Sequence, residues 1–143
     1  TGGMIAWLDA QDEVKAGPMG CVGHCMSGRY ITTVAARFPA RIAAAASLYG
    51  VGIVTDQPDS PHLLVDQIKG ELYYGFAETD ATVPEHVIPA LKKALARAGA
   101  KYKLEIYPGS QHGFMFAERA AYQAEGTAVA WQRLIDLWDR NLK

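Results

Sequence analysis

The stretch MGCVGHCMSGRY, residues 19–30, decides which fold the rest of the chain has to complete. It opens on a short apolar run, which predicts a buried strand, and apolar residues then return at helical spacing over 27–38. Cys25 lies between the two, with the small residues Gly23 and Ser27 two positions to either side. A tight strand-to-helix turn needs small residues there, because larger side chains would collide. The stretch therefore predicts a strand, a sharp turn carrying Cys25, and a helix.

The composition indicates one globular domain over residues 1–143. Half of the residues are apolar, which is enough to bury a core. Lys plus Arg number 14 and Asp plus Glu number 15, with both signs interleaved, so nothing predicts a nucleic-acid surface. The longest apolar stretch, 42–54, is too short and too rich in glycine for a membrane span. The balanced charge favours a small-molecule partner. The two cysteines are poorly spaced for a mutual disulfide, so we expect a cytoplasmic location.

The remaining chain alternates strand and helix patterns, which predicts an α/β protein with a mainly parallel sheet of about four strands and helices on both faces. The expected strands cover 19–22, 42–48, 71–76 and 102–107. The expected helices cover 4–14, 27–38, 84–98 and about 117–142, and 55–62 is expected to be a loop. On the last helix, one apolar stripe is predicted to be buried: Ala124, Ala128, Trp131, Ile135, Trp138 and Leu142.

Three reactive residue types follow three of these strands, in the order thiol, carboxylate, imidazole. Cys25 follows the first strand, Asp80 the third and His112 the fourth. Ligands and catalytic groups of such sheets gather at the carboxyl ends of the strands. A neighbouring imidazole with a carboxylate behind it is the common means of converting a thiol into a thiolate nucleophile. The pattern indicates hydrolysis of an ester through an acyl-cysteine, with Glu78 as the alternative carboxylate and the Met26 N–H as an oxyanion donor.

Two other interpretations of the cysteines remain open at this point. A lone cysteine before a helix is more often a small buried apolar residue than a nucleophile. A metal site built from Cys21, His24 and Cys25 is disfavoured, because its ligands would lie on opposite faces of one strand. For Cys21, which lies on the strand itself, packing is the expected role.

Three segments of this sequence together resemble the dienelactone hydrolase family of the α/β-hydrolase fold. They are GHCMSGR, FAETDATVP and GSQHGFMF, which are similar to the nucleophile, acid and histidine segments of that family. The resemblance runs from about residue 1 to 143. It implies that Cys25 is the nucleophile, Asp80 the acid and His112 the base of a triad that cleaves esters or lactones of small molecules, without a metal or organic cofactor.

The resemblance also implies where a substrate would bind. His24 occupies the variable position of the turn, and Tyr49, Phe114 and Phe116 are candidates for the acyl pocket. Some dienelactone hydrolases have an arginine four residues after the histidine, which holds the substrate carboxylate. This sequence has Phe116 there, and Arg119 is the candidate for the same role.

The resemblance finally implies that the chain corresponds to the C-terminal portion of the family's domain. The first strands, and a loop with the second oxyanion donor, would belong to the portion before it. The strand over 19–22 is then expected to expose an apolar edge, covered by an N-terminal segment or by a second copy of the chain. The alternative function is an inactive truncated fragment that oligomerises through this edge.

Overall fold

The computed structural model describes residues 1–143 and consists of one sheet between two layers of helices. The sheet has four strands, all parallel, in the order β1-β2-β3-β4. The strands are β1 (Met19–His24), β2 (Ile42–Leu48), β3 (Glu71–Thr79) and β4 (Tyr102–Gln111). The helices are α1 (Gly2–Asp9), α2 (Ser27–Arg37), α3 (Val87–Ala98), α4 (Ala124–Asn141) and a 3₁₀ helix (Pro61–Gln67). The predicted α/β class with a parallel sheet is confirmed.

The core consists of two apolar clusters, one on each face of the sheet. β2 supplies both, because its consecutive small residues alternate between the faces: Ala44 and Ala46 belong to one cluster and Ala45 to the other. The first cluster contains the buried side of α4, and the second contains residues of α2 and α3. Strands buried on both faces are typical of parallel sheets, and the prediction of helices on both faces is confirmed.

Several predicted boundaries were wrong. α1 ends at Asp9 instead of about residue 14, and it buries none of its residues. The predicted loop over 55–62 runs into the 3₁₀ helix, which begins at Pro61. α3 begins at Val87, because the three residues before it form a turn closed by a hydrogen bond from the Val87 N–H to the Pro84 carbonyl. The chain between β4 and α4 forms successive turns, so α4 begins at Ala124 instead of 117.

The apolar stripe predicted to be buried on α4 was wrong in part. Trp138 and Leu142 pack against the core, but the other four residues are exposed: Ala124, Ala128, Trp131 and Ile135. The buried face of the helix lies beside this stripe, and Trp131 and Ile135 are 45% and 47% exposed. Two adjacent faces of α4 are apolar, so the periodicity alone does not predict which of them is buried. Neither α4 nor any other helix combines the length and the apolarity that a bilayer span needs. The buried residues of α4 are Gly126, Thr127, Ala130, Leu134 and Leu137.

The strand that leads to Cys25 lies at one edge of the sheet. β1 pairs with β2 alone, so the backbone groups on its other side have no strand partner. Trp138 and Leu142 of α4 pack over it so closely that a Cβ on Gly20 would lie 2.8 Å from the Trp138 ring and 2.9 Å from Leu142. β1 therefore has β2 beside it, α2 and α4 packed on it, and one edge without a strand partner.

Candidate active site

The turn between β1 and α2 holds Cys25 in a strained backbone conformation. Its φ is +55°, in the left-handed region that residues with a side chain seldom adopt. The Cys25 N–H donates to the Leu48 carbonyl at 3.1 Å, and the Cys25 carbonyl accepts from the N–H groups of Gly28 and Val51 at 3.0 and 3.1 Å. These three bonds tie the turn to α2 and to the end of β2. The predicted sharp turn with Cys25 at its tip is present.

Ser27 closes this turn from inside. Its hydroxyl donates to the His24 carbonyl at 2.6 Å and accepts from the His24 N–H at 2.9 Å. Gly23 is packed against the same residue, since a Cβ on Gly23 would lie 2.7 Å from the Ser27 carbonyl oxygen. The sequence predicted only that residue 27 must be small. The hydroxyl bonds were missed, although serine is a residue type that commonly bonds to nearby backbone in turns.

The three residues of the predicted triad lie together at the carboxyl ends of their strands. The Cys25 Sγ is 3.1 Å from the His112 Nε2, and the His112 Nδ1 is 2.7 Å from the Asp80 Oδ2. The Asp80 side chain is only 3% exposed and that of His112 is 21% exposed. A thiol, an imidazole and a buried carboxylate in this chain of contacts form the arrangement that activates a nucleophile.

Contacts of Glu78 and Thr82 position the segments that carry the carboxylate and the imidazole. The alternative acid, Glu78, does not contact the imidazole in the structure. Its carboxylate instead accepts from the Gly109 N–H at 2.9 Å, which ties the end of β3 to the end of β4. Thr82, which the sequence reasoning missed, contacts both Asp80 and His112. A threonine two residues after an aspartate is a turn pattern that could have indicated it.

Aromatic rings surround the His112 side of the site. The ring of Tyr49 packs edge-on against His112, with centroids 5.3 Å apart, and lies 5.6 Å from His24. His24 also packs against Phe116 at 5.7 Å, and burial lowers the pKa of the His24 imidazole. Phe116 is 42% exposed, whereas Phe114 is fully buried beneath Tyr49. Of the predicted substrate-binding rings, Phe116 is open to a ligand and Phe114 lies in the core.

Tyr49 combines two unusual features. It adopts a positive φ of 38°, and its fully buried side chain has a hydroxyl with no hydrogen-bond partner. Burial raises the pKa of this hydroxyl, and the Arg119 guanidinium partly opposes that effect. Arg119 itself lies 5.4 Å from the centre of the Phe116 ring and has no acidic partner. The Tyr49 hydroxyl thus lacks a hydrogen-bond partner, and the Arg119 guanidinium lacks an acidic one.

The two cysteines face opposite sides of the sheet. Cys25 packs against the cluster that includes α4, and Cys21 against the cluster that includes α2 and α3. Both are free thiols, and burial raises the pKa of Cys21 to about 11. No group of three or more His, Cys, Asp or Glu side chains has a geometry that could hold a metal ion. The Met26 N–H, the predicted oxyanion donor, lies at the start of α2 and donates none of the bonds that hold the turn together.

Comparison with known proteins gives consistent results at the level of sequence. The family model described as "Dienelactone hydrolase family" matches residues 3–142. The protein named "Putative carboxymethylenebutenolidase" of Synechocystis sp. is 34% identical over 142 residues, which are 97% of this chain and 57% of that protein. A Bradyrhizobium protein named "Probable 2-oxo-3-(5-oxofuran-2-ylidene)propanoate lactonase" is 26% identical over 92% of this chain and 54% of its own length. The chain thus spans little more than half the length of these curated relatives.

Solved structures show the same fold. A dienelactone hydrolase homologue from Klebsiella pneumoniae superposes with a TM-score of 0.85 at 24% identity, over 96% of this chain and 58% of that one. The acylaminoacyl peptidase of Pyrococcus horikoshii superposes with a TM-score of 0.78 at 14% identity, over 99% of this chain and 27% of that one. At these identities the likeness shows the fold, which is that of the α/β hydrolases. Because the family model matches nearly the whole sequence, the chain belongs to the dienelactone hydrolase family.

Proposed function

We propose that this chain carries the catalytic triad of a hydrolase that cleaves ester or lactone bonds of small molecules. Cys25 is the nucleophile, His112 the general base and acid, and Asp80 the carboxylate that orients His112. The observation that carries the proposal is the pair of contacts on one imidazole, 3.1 Å from Nε2 to the thiol and 2.7 Å from Nδ1 to the carboxylate. Only one neutral tautomer of His112 fits both contacts: Nδ1 carries the proton and donates to Asp80, and Nε2 accepts from the thiol.

In the first half-reaction the ester acylates the thiol. Cys25 transfers its proton to the His112 Nε2, and the Sγ attacks the acyl carbon to form a tetrahedral oxyanion. The Met26 N–H, at the first turn of α2, donates to that oxyanion. The carbon–oxygen bond of the ester then breaks, and the Nε2–H returns the proton to the departing alcohol or enol oxygen. The acyl group remains on Cys25.

In the second half-reaction water releases the acyl group. His112 takes a proton from the water, and the resulting hydroxide attacks the acyl carbon. The carbon–sulfur bond breaks, and the proton held on Nε2 returns to the thiolate. Throughout, the buried Asp80 stabilises the cation that His112 becomes. The steps use only side-chain and backbone groups, so the proposal includes no metal or organic cofactor.

The names of the relatives, the aromatic surface next to Cys25 and the unpaired Arg119 support the substrate class. A butenolide and a furanylidene lactone, named for the Synechocystis and Bradyrhizobium relatives, are both small cyclic esters. We assign the acyl or leaving group to the surface of His24 and Phe116, which lie against each other beside the thiol. Arg119, which has no acidic partner, is assigned to a carboxylate on the substrate, and the buried Tyr49 to the wall that packs against His112.

A reducing compartment such as the cytoplasm is part of the proposal, because the mechanism needs Cys25 as a free thiol. Both cysteines are free, and they face opposite sides of the sheet, so they do not protect each other as a disulfide. A partly exposed nucleophilic thiol such as that proposed for Cys25 is readily oxidised outside such compartments.

The experiment is a burst assay with a p-nitrophenyl acyl ester. We expect a rapid release of about one equivalent of p-nitrophenol per chain, followed by slower turnover, because acylation of an activated ester outpaces hydrolysis of the acyl-cysteine. Cys25→Ala should abolish both phases, whereas Cys21→Ala, on the other face of the sheet, is the matched control and should retain them. Turnover that survives in Cys25→Ala would refute the cysteine mechanism.

The second candidate function is an inactive chain that associates through its open sheet edge. It is favoured by one observation, the unpaired side of β1, whose backbone N–H and carbonyl groups can accept another strand. Under this proposal the partner is a second copy of the chain or an adjoining polypeptide segment. Ester turnover by the monomer would exclude it.

A further inference from the structure

We infer that Thr82 is a positioning residue for the triad, which fixes the tautomer of His112 through a hydroxyl shared between Asp80 and His112. The inference rests on the proposed role of Cys25 as the nucleophile. It adds a residue that neither the family motif nor the sequence pattern had assigned. Three contacts of Thr82 carry it, and all three involve the two residues behind the thiol.

The first step concerns the carboxylate of Asp80. Its Oδ2 contacts the His112 Nδ1 at 2.7 Å, and its Oδ1 accepts two hydrogen bonds from Thr82, one from the backbone N–H at 2.9 Å and one from the hydroxyl. Both oxygens are therefore engaged, and the plane of the carboxylate is fixed by a residue only two positions along the chain. A carboxylate held in this way cannot rotate away from the imidazole.

The second step concerns the hydroxyl hydrogen. A threonine hydroxyl has one hydrogen to donate, and the contact with the Asp80 Oδ1 uses it, because an ionised carboxylate can only accept. The same Oγ1 lies 3.2 Å from the His112 Nδ1, so toward the imidazole it can offer only a lone pair. The Nδ1 must then carry the proton and share it between the Asp80 Oδ2 and the Thr82 Oγ1.

The third step connects this arrangement to the thiol. An imidazole protonated on Nδ1 presents the lone pair of Nε2 to the Cys25 Sγ, 3.1 Å away, and can accept the thiol proton. The imidazolium that results is stabilised at Nδ1 by two oxygens instead of one. The other titratable groups of this cluster are Tyr49, whose ring packs against His112, and the more distant His24 and Arg119; none of them hydrogen-bonds to the imidazole.

The test is the rate of Cys25 alkylation by iodoacetamide as a function of pH, in wild type and Thr82→Val. Valine keeps the shape and the backbone N–H but removes the hydroxyl. We expect alkylation near neutral pH to fall by about threefold to tenfold, and the profile to move to higher pH by about half a unit to one unit, which is the effect of one hydrogen bond. Thr82→Ser should restore the wild-type profile.

Matched measurements separate this effect from a structural one. Thr33→Val removes an exposed hydroxyl that bonds to the Arg29 carbonyl on α2, outside the site, and should leave the profile unchanged. The unfolding midpoint of Thr82→Val should stay close to that of wild type. A wild-type profile in Thr82→Val would overturn the inference while leaving ester hydrolysis by Cys25 intact. A shifted profile in a protein without ester turnover would support the inference and refute the proposed function.

Discussion

Tyr49 combines two features that cost the folded chain free energy. A buried hydroxyl without a partner costs free energy, and a positive φ at a residue with a side chain adds strain. Strained or unsatisfied groups that persist in a structure are most often found at functional sites. Tyr49 packs against both His112 and His24, so its strain lies next to the candidate triad.

Tyr49→Phe should separate stability from function. Removing the unpartnered hydroxyl should leave the free energy of unfolding unchanged or raise it by up to about 1 kcal/mol. The same change should leave KM for a p-nitrophenyl ester close to the wild-type value, because no surface of the hydroxyl is open to a bound molecule. Chemical denaturation and steady-state kinetics measure the two effects. A clear loss of stability would show that the hydroxyl has a structural partner, and a raised KM would show that it reaches the substrate.

At the level of elements, the turn between β1 and α2 depends on close packing as much as on hydrogen bonds. Gly23 lies against the first turns of α2, where a Cβ would meet both the Ser27 carbonyl and the Ile31 side chain. The Ser27 hydroxyl can make its two hydrogen bonds to His24 only while the first turn of α2 stays this close to the end of β1. The first turn of α2 therefore has one position relative to the end of β1, and the Met26 N–H has a fixed direction.

Gly23→Ala should displace the turn. The added methyl group would have to push α2 away from β1, and overpacking of this kind costs about 1–3 kcal/mol of folding free energy. Alkylation of Cys25 should slow in the same variant, since the Sγ moves relative to His112. Gly3→Ala is the matched control: a Cβ there meets nothing within 4 Å, and alanine should stabilise α1 slightly. Equal stability of the two variants would contradict the packing argument.

A second contact between elements joins the start of β3 to the end of α4. Burial acts to raise the pKa of Glu71, but hydrogen bonds from Arg140, Asn141 and Lys101 outweigh it and lower that pKa from 4.5 to about 2. A carboxyl whose pKa is lower in the folded state stabilises the fold above its unfolded pKa. That contribution is lost as the pH falls from about 4.5 through about 2.

Glu71→Gln should therefore destabilise the protein in a pH-dependent manner. At pH 7 we expect a loss of about 1–2 kcal/mol, because the arginine and lysine partners are half exposed and screened by solvent. The difference from wild type should shrink below pH 4.5, where Glu71 begins to take up a proton in the unfolded chain but not yet in the folded one. Urea denaturation at several pH values measures it. A difference that stays constant down to pH 2 would contradict this assignment.

Across the whole molecule, the sheet and the order of the reactive residues could be predicted from the sequence, because both follow from local patterns. β2 has the predicted bounds, and Cys25, Asp80 and His112 each follow a strand of one parallel sheet. The buried face of α4 could not be predicted, since two adjacent apolar faces compete and only the sheet decides between them. The hydroxyl contacts of Ser27 and Thr82 could not be predicted either, because each depends on the detailed geometry of a turn.

α4 exposes large apolar side chains, and β1 leaves one edge of the sheet without a strand partner. Trp131 and Ile135 share a helix face with Trp138, which packs on β1. We propose that a second copy of the chain binds here, and we expect sedimentation equilibrium to give a mass above the 15.5 kDa of one chain. Replacing Trp131 and Ile135 together by lysine should produce monomers.

The control for this surface is Val129→Lys, a change at an exposed residue on another face of the same helix, which should leave the mass unchanged. Wild-type protein that sediments as a monomer at every concentration would contradict the proposed association.

The central claim, that Cys25 becomes acylated during turnover, is tested most directly by acid-quenched peptide mass spectrometry during hydrolysis of a p-nitrophenyl acyl ester. We predict that the peptide containing Cys25 gains the mass of one acyl group in the steady state, that no other peptide does, and that Cys25→Ala shows neither acylation nor turnover. Turnover with an unmodified Cys25 peptide, or with the acyl group on a different residue, would contradict the account.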